Sequence, residues 1–158
     1  MGAADQSATS GRQVAVRLRA AEPADCEAIH RWQTAEARKY FHAPQVPSAV
    51  EHRDWFRRRM SQDHPALWII EIGPDAVGYV RLDLLQDSND AAVSILVARP
   101  DQGRGVATAA LKELRRLEPQ RRIRAEIHPE NLASRRAFEK AGYKPISAHV
   151  MISDPKIS

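Results

Sequence analysis

Val14-Ala-Val-Arg-Leu18-Arg alternates apolar and polar positions, the period-two pattern of a strand with one buried face. From Pro23 to about Phe41 the spacing changes, and Cys26, Ile29 and Trp32 form the stripe of an amphipathic helix. Pro44 and Pro47 stop that helix. Ser48, with Glu51 at the capping-box position, opens a second one through Met60. Leu67 to Ile72 reads as a strand, Gly73-Pro74-Asp75 as a turn, and Val77 to Leu85 as the returning strand. Polar Gln86 to Asp90 makes the next turn, and Ala91 to Ala98 the next strand. Helical spacing returns from Val106 to Leu117 and ends by Pro119. Ile123 to Ile127 is a strand. Ala133/Ser134, Ala137/Phe138 and Ala141 then mark a helix opened by Asn131 and stopped at Gly142. Short strands near Tyr143–Ile146 and Ala148–Ile152 close the chain. The order is βααβββαβαββ, an α/β (α+β) domain over residues 14–158 behind a polar stretch, residues 1–13, that reads as a disordered tail.

Composition agrees with one soluble domain. At 158 residues the chain fits a single core, and 43% hydrophobic with 28% charged residues is ordinary for a globular protein. No apolar run approaches the ~20 residues needed to cross a bilayer, and no apolar signal core stands near the start, so the expectation is a cytoplasmic protein with no membrane partner. Cys26, alone of its kind, makes no internal disulfide and reads as a core thiol. The formal charge is +4, with basic pairs at Arg115-Arg116, Arg121-Arg122 and Arg135-Arg136. Acidic residues are interleaved with them, and no aromatic-basic stacking pattern is present. The surplus therefore suits steering of a polyanionic small molecule better than nucleic-acid binding.

The segment with chemistry in it is Gln102-Gly103-Arg104-Gly105-Val106-Ala107-Thr108. A strand, a short glycine loop and a helix start aim free backbone N–H groups at one point, with the helix dipole behind them. Gly103 and Gly105 let the backbone approach a ligand closely, and Arg104 adds a full positive charge. A pyrophosphate suits such a loop, whereas an ordinary turn into a helix is the bland alternative. Neither the dinucleotide fingerprint nor the P-loop fits, since a third glycine and a Gly-Lys-Ser/Thr ending are both missing.

The loop resembles the Gln/Arg-x-x-Gly-x-Gly/Ala signature of the GNAT superfamily, the acyl-CoA-dependent N-acyltransferases, with Gln102, Gly105 and Ala107 at the defining positions. Asn131 through Ser134, Ala137-Phe138, Lys140, Gly142 and Tyr143 resemble the family's later motif. The resemblance implies a mixed sheet with a V-shaped cleft between two core strands. It implies acetyl-CoA as co-substrate, with no metal. The backbones of Ile95, Leu96 and Val97 would hold the pantetheine arm, and Gly103, Arg104, Gly105, Val106, Ala107 and Thr108 the pyrophosphate, with Gln102, Asn131 and Phe138 completing the cofactor site.

The chain departs from the family at one place. Many relatives carry at the Phe138 position a tyrosine that protonates the leaving thiolate. A phenyl ring cannot, so the role passes to water or to Tyr143 or Tyr40, and the catalytic acid stays unassigned. Glu126, His128, Glu71 and Asp83 are candidate bases, each equally readable as solvated or structurally paired. For the acceptor, Arg38, His52 and Trp55 in the variable segment resemble GNAT enzymes that acetylate nucleotide-linked amino-sugars, as in pseudaminic acid biosynthesis. The expected activity is acetyl transfer to a primary amine of a small molecule such as that sugar, by a monomer or homodimer. Protein N-terminal or small-amine acetylation, and a catalytically silent CoA-binding module, are the alternatives.

Overall fold

The computed structural model describes residues 14–86 and 88–156; the expected tail at residues 1–13 lies outside them. Arg17–Ala20 forms β1, and a 3-10 turn at Pro23–Asp25 runs into α1, Cys26–Trp32. Short α2 spans Ala35–Arg38 and α3 Ala49–Met60. β2 (Leu67–Ile72), β3 (Asp75–Leu84) and β4 (Asp90–Val97) follow as a meander. A 3-10 turn at Arg99–Asp101 then leads into α4, Val106–Leu117. β5 (Arg122–Glu126), α5 (Leu132–Lys140), β6 (Lys144–Pro145) and β7 (Val150–Ser153) complete the described chain.

The seven strands make one sheet in the order β1-β2-β3-β4-β5-β7-β6. Every neighbouring pair is antiparallel except β4 and β5. Alternation along each strand sends residues to opposite faces. Ile70, Val80, Leu82 and Ile123 pack under Leu111 and Leu114 of α4 and Phe138 of α5. On the other face, Ile69, Tyr79 and Leu96 pack under Ile29 of α1 and Phe56 of α3. Gly78 is required where β3 meets β4, because a Cβ there would stand 2.2 Å from the Leu96 carbonyl oxygen.

The helix expected over Pro23–Phe41 is interrupted. Gln33 leaves helical geometry (φ −86°, ψ 67°), and the Thr34 hydroxyl accepts the Ala37 N–H at 3.1 Å to start α2 afresh. A local side-chain cap competes here with helix continuation. The capping box at Ser48 is formed on both sides, with Glu51 N–H donating to Ser48 Oγ and Ser48 N–H to the Glu51 carboxylate. Cys26 is half-buried and packs at the edge of the core cluster around Ile29 and Phe56; it borders a groove with Phe56, Met60, Arg53 and Arg57, and burial pushes its thiol pKa up. Buried Arg115 of α4 donates to Ser153 and Asp154, tying the last strand to the helix.

Candidate functional site

β4 is a paired strand on one side only for most of its length. Its parallel register with β5 holds at Asp90↔Arg122, Ala91↔Ile123 and Ala92↔Arg124, and stops there. Toward β3 the pairing continues to Gly78↔Val97. The two central strands therefore part after Ala92, leaving a V-shaped opening. Ala98 N–H donates to Val77 O, and Leu85 N–H to Asp90 O. Antiparallel alternation between those two rungs turns the backbone groups of Ser94 and Leu96 toward β3 and those of Val93, Ile95 and Val97 toward the opening. This corrects one expectation: Leu96 has its polar backbone spent inside the sheet, while Ile95 and Val97 present theirs to the cleft. Gln102 Nε2 donates to Val97 O at 3.0 Å, so this side chain fastens the glycine loop to the strand end.

At the end of β4 the loop enters α4 through two left-handed glycines, Gly103 (φ 77°) and Gly105 (φ 78°). Gly105 is the N-cap. No side chain caps the helix, and its first turn holds no acidic residue. The first N–H donors of α4, from Val106, Ala107 and Thr108, are left for a ligand. A Cβ on Gly103 or Gly105 would meet no protein atom within 4 Å, so the glycines border open space. Beside them is a cavity of about 380 Å³ lined by Arg104, Gly105, Thr108, Lys112 and Lys140. Arg104 is held at 2.9 Å by Asp101 on its loop. Uncapped N–H groups, a helix dipole and three cations suit an anionic group carrying several phosphates. The sequence reading missed Lys112; Lys140, legible only as part of the later motif, also reaches the loop. Gly105, Thr108 and Lys112 lie along one helix stripe, a signal that helical periodicity carries.

Asn131 caps α5, its Oδ1 accepting the Ser134 N–H at 3.2 Å. Phe138 is 3% exposed and meets Tyr143 edge-on at 4.8 Å between ring centroids. Its ring belongs to the core under α5. Tyr143 is no better placed to serve as an acid, because it is 3% exposed and burial raises its pKa.

Of the candidate bases, Glu71 accepts from Arg17 and Arg19, and those two guanidiniums hold its carboxyl below the usual range. Asp83 is paired with Arg59 and Arg81. Glu126 and His128 stand differently, at the open end of β5. Glu126 receives a hydrogen bond from His42 Nε2 at 2.7 Å, and the His128 ring lies 4.9 Å from that of Tyr40. The segment between α2 and α3 thus reaches over to the end of β5, a juxtaposition across 84 residues that no local pattern announces.

The three expected acceptor residues separate. His52 is 2% exposed; its Nε2–H donates to Cys26 O at 2.7 Å, its ring stacks on His30 at 4.8 Å, and burial lowers its pKa. It joins α3 to α1 and cannot contact a phosphate or hydroxyl, which corrects that expectation. Arg38 is bonded within its own segment, to Gln33 at 2.8 Å and to Ala43 O, with its guanidinium 4.8 Å from the Phe41 ring. Trp55 is half-buried and keeps the Arg81 guanidinium 6.0 Å from its ring, while Arg81 also donates to Ser94 Oγ at 3.2 Å. Among the described residues no group of three or more His, Cys, Asp or Glu could hold a metal, and no helix is long and apolar enough to cross a membrane.

A family profile described as "Acetyltransferase (GNAT) domain" matches residues 15–144. No curated protein sequence matches. Solved structures with the same fold include the aminoglycoside acetyltransferase AAC(6')-Ib in complex with coenzyme A and kanamycin, 18% identical, covering 89% of this chain and 95% of that one with a TM-score of 0.75. Spermidine N-acetyltransferase from Vibrio cholerae, with CoA and spermine, is 19% identical over 87% of this chain and 92% of its own, at a TM-score of 0.73. The ribosomal-protein alpha-N-acetyltransferase RimL, with coenzyme A, is 15% identical over 90% and 96%, at 0.75.

Proposed function

We propose that this chain, which belongs to the GNAT acetyltransferase family, transfers the acetyl group of acetyl-CoA to the primary amine of a small molecule. One observation carries the reading: β4 loses its β5 partner after Ala92 and ends in an uncapped helix start beside three cations. A free strand edge pairs with an amide-bearing chain as a further strand would. Ile95 and Val97 supply that edge, so the two amides of a pantetheine arm fit along it. The N–H groups of Val106 to Thr108 suit the pyrophosphate, and Arg104, Lys112 and Lys140 suit the remaining phosphate charge. Within the cleft the thioester carbonyl comes within reach of a backbone donor near Val97. The protein's tasks are to align an amine with that carbonyl and to manage two protons, one from the ammonium and one to the thiolate.

The structural neighbours take an aminoglycoside, a polyamine and a ribosomal protein as their names give them. They support an amine acceptor without choosing among such classes. Of the side chains that suggested a nucleotide-linked amino-sugar, only Trp55 keeps an accessible ring, with Arg81 beside it. The amino-sugar is one member of the small-amine class and is tested within it. Incubation with acetyl-CoA and a panel of amines, amino-sugars, polyamines and N-terminal peptides is expected to release free thiol with a small amine. If thiol is released only with peptides, the acceptor is protein; if acetyl-CoA fails to bind in calorimetry, the whole reading falls. Trp55→Ala should lower kcat/KM for the accepted amine about tenfold while acetyl-CoA affinity holds, as expected for losing ~1.4 kcal/mol of acceptor contact.

A further inference from the structure

We propose that His42, oriented by Glu126, is the general base that takes the proton of the acceptor's ammonium group, an inference that rests on the acetyltransfer reading above. The pair sits where the acceptor enters. Continuing the β4–β5 register past Ala92↔Arg124 places Glu126 level with Ser94, on the far side of the opening. Ile123 and Ala125 are buried under α4, so Arg124 and Glu126 point to the opposite face, the one that α1 and α3 flank. Ser94 and Arg81 lie on that same face. The thioester is expected from the α4 side and the amine from this one, with His42 and Glu126 on its rim.

The local chemistry is ordered. A carboxylate only accepts, so the 2.7 Å contact fixes the proton of His42 on Nε2 and leaves the lone pair on Nδ1. Glu126 thereby sets the tautomer and would stabilise the imidazolium once formed, the orienting role that carboxylates play behind catalytic histidines. His42 is accessible, its side chain 91% exposed. Tyr40, its ring tilted against that of His128 at 4.9 Å, fixes the segment at its other end and is a positioning residue. The charged and titratable groups around the pair are Arg124 at 3.9 Å from Glu126, His128 two residues beyond the end of β5, and Lys39 near the Tyr40 ring.

The step balances without any further reagent. Nδ1 takes one proton from the ammonium, and the neutral amine attacks the thioester carbonyl carbon as the new C–N bond forms. The C–S bond breaks with its electron pair on sulfur. The second nitrogen proton leaves as the amide forms, and the thiolate takes up a proton to become free thiol. Solvent afterwards removes the proton stored on His42.

The test is a pH profile of kcat and kcat/KM for wild type, His42→Gln and Glu126→Gln, with acetyl-CoA affinity measured beside it. His42→Gln keeps an N–H donor toward Glu126 but has no basic nitrogen. It is expected to lower kcat at least tenfold near neutrality, general base catalysis being commonly worth ~10²–10⁴. The deficit should shrink as pH rises and free amine accumulates, while acetyl-CoA affinity stays unchanged. Glu126→Gln should lose less, since it keeps His42 in place while removing the carboxylate charge. His64→Gln, an exposed histidine beside Glu118, serves as control and should be silent. A His42→Gln enzyme with wild-type kcat, or with a deficit equal at every pH, overturns the assignment while leaving acetyl transfer in place. A wild type that releases no thiol with any amine overturns acetyl transfer itself, and the base with it.

Discussion

His52 carries a stability consequence that its place in the core dictates. Burial disfavours its charged form, so the folded chain resists a proton that the unfolded chain accepts. Its contribution is whole above the ordinary histidine pKa of ~6.5 and is lost as pH falls below that value, because the unfolded state then binds more protons. Urea midpoints should therefore drop between about pH 7 and pH 5.5. His52→Gln should flatten that slope, and an unchanged slope would refute the account. Gly105 poses the opposite case, since nothing crowds its missing Cβ. Its φ of 78° is what a β-branched residue resists. Gly105→Val is expected to cost ~1–3 kcal/mol of stability from strain. It should also weaken acetyl-CoA binding by obstructing the close approach to the loop, and unchanged affinity in calorimetry would break the link between loop and cofactor. The glycines could be read as a phosphate loop from the sequence because loop chemistry is local. His52 could not be read as core, since its helical spacing with Trp55 fits a binding face as well as a packing one, and only the arrival of α1 decides between them.

α5 ends in a device in which every part has a use. Gly142 N–H donates to Glu139 O and Tyr143 N–H to Phe138 O, with Gly142 at φ 97° between them. This is the double-bonded helix stop whose accompanying apolar contact joins the residue after the glycine to the last turn. Here the contact is Phe138 against Tyr143. The ring at position 138 thus has a structural task, packed against Tyr143, whose own hydroxyl is already buried without a hydrogen-bond partner. Phe138→Tyr is expected to lower stability by ~1–3 kcal/mol, the usual cost of an unsatisfied buried polar group. It should not raise turnover; a variant both faster and as stable would show that the ring reaches the cleft. The stop at Gly142 was legible in the sequence, as were the capping box at Ser48 and the strand meander, because each rests on a short-range pattern. The break at Gln33 was not. The stripe of Cys26, Ile29 and Trp32 continues the helical period, while the Thr34 cap competes with it by one hydrogen bond.

At the scale of the whole molecule the cleft is a product of sheet topology. β4 must pair with β3 along its length and with β5 only at its start, and the crossover through α4 sets where the two part. Strand order and glycine loop pointed to such an opening through family resemblance, but which backbone groups face it depends on the parity of the β3–β4 rungs. Pairing parity is a property of two strands together, and so Leu96 could not be told from Ile95 and Val97 in advance. The cations at the loop follow the same logic, since Arg104, Lys112 and Lys140 come from a loop and two helices and meet only when α5 packs on α4. Their convergence gives the last prediction its physical form. A ligand that binds only the folded chain stabilises it by mass action, about 4.1 kcal/mol at a thousandfold excess over Kd. Acetyl-CoA should therefore raise Tm markedly at low salt. Much of that binding is charge pairing at an exposed rim, which salt screens over a Debye length of ~10 Å at 0.1 M. The Tm shift should shrink as sodium chloride rises, and Lys112→Gln with Lys140→Gln should flatten the salt dependence while leaving the Tm of the free protein nearly unchanged. A shift that ignores salt in the wild type would mean that the strand edge and helix start hold the ligand, and that the basic cavity beside them does not.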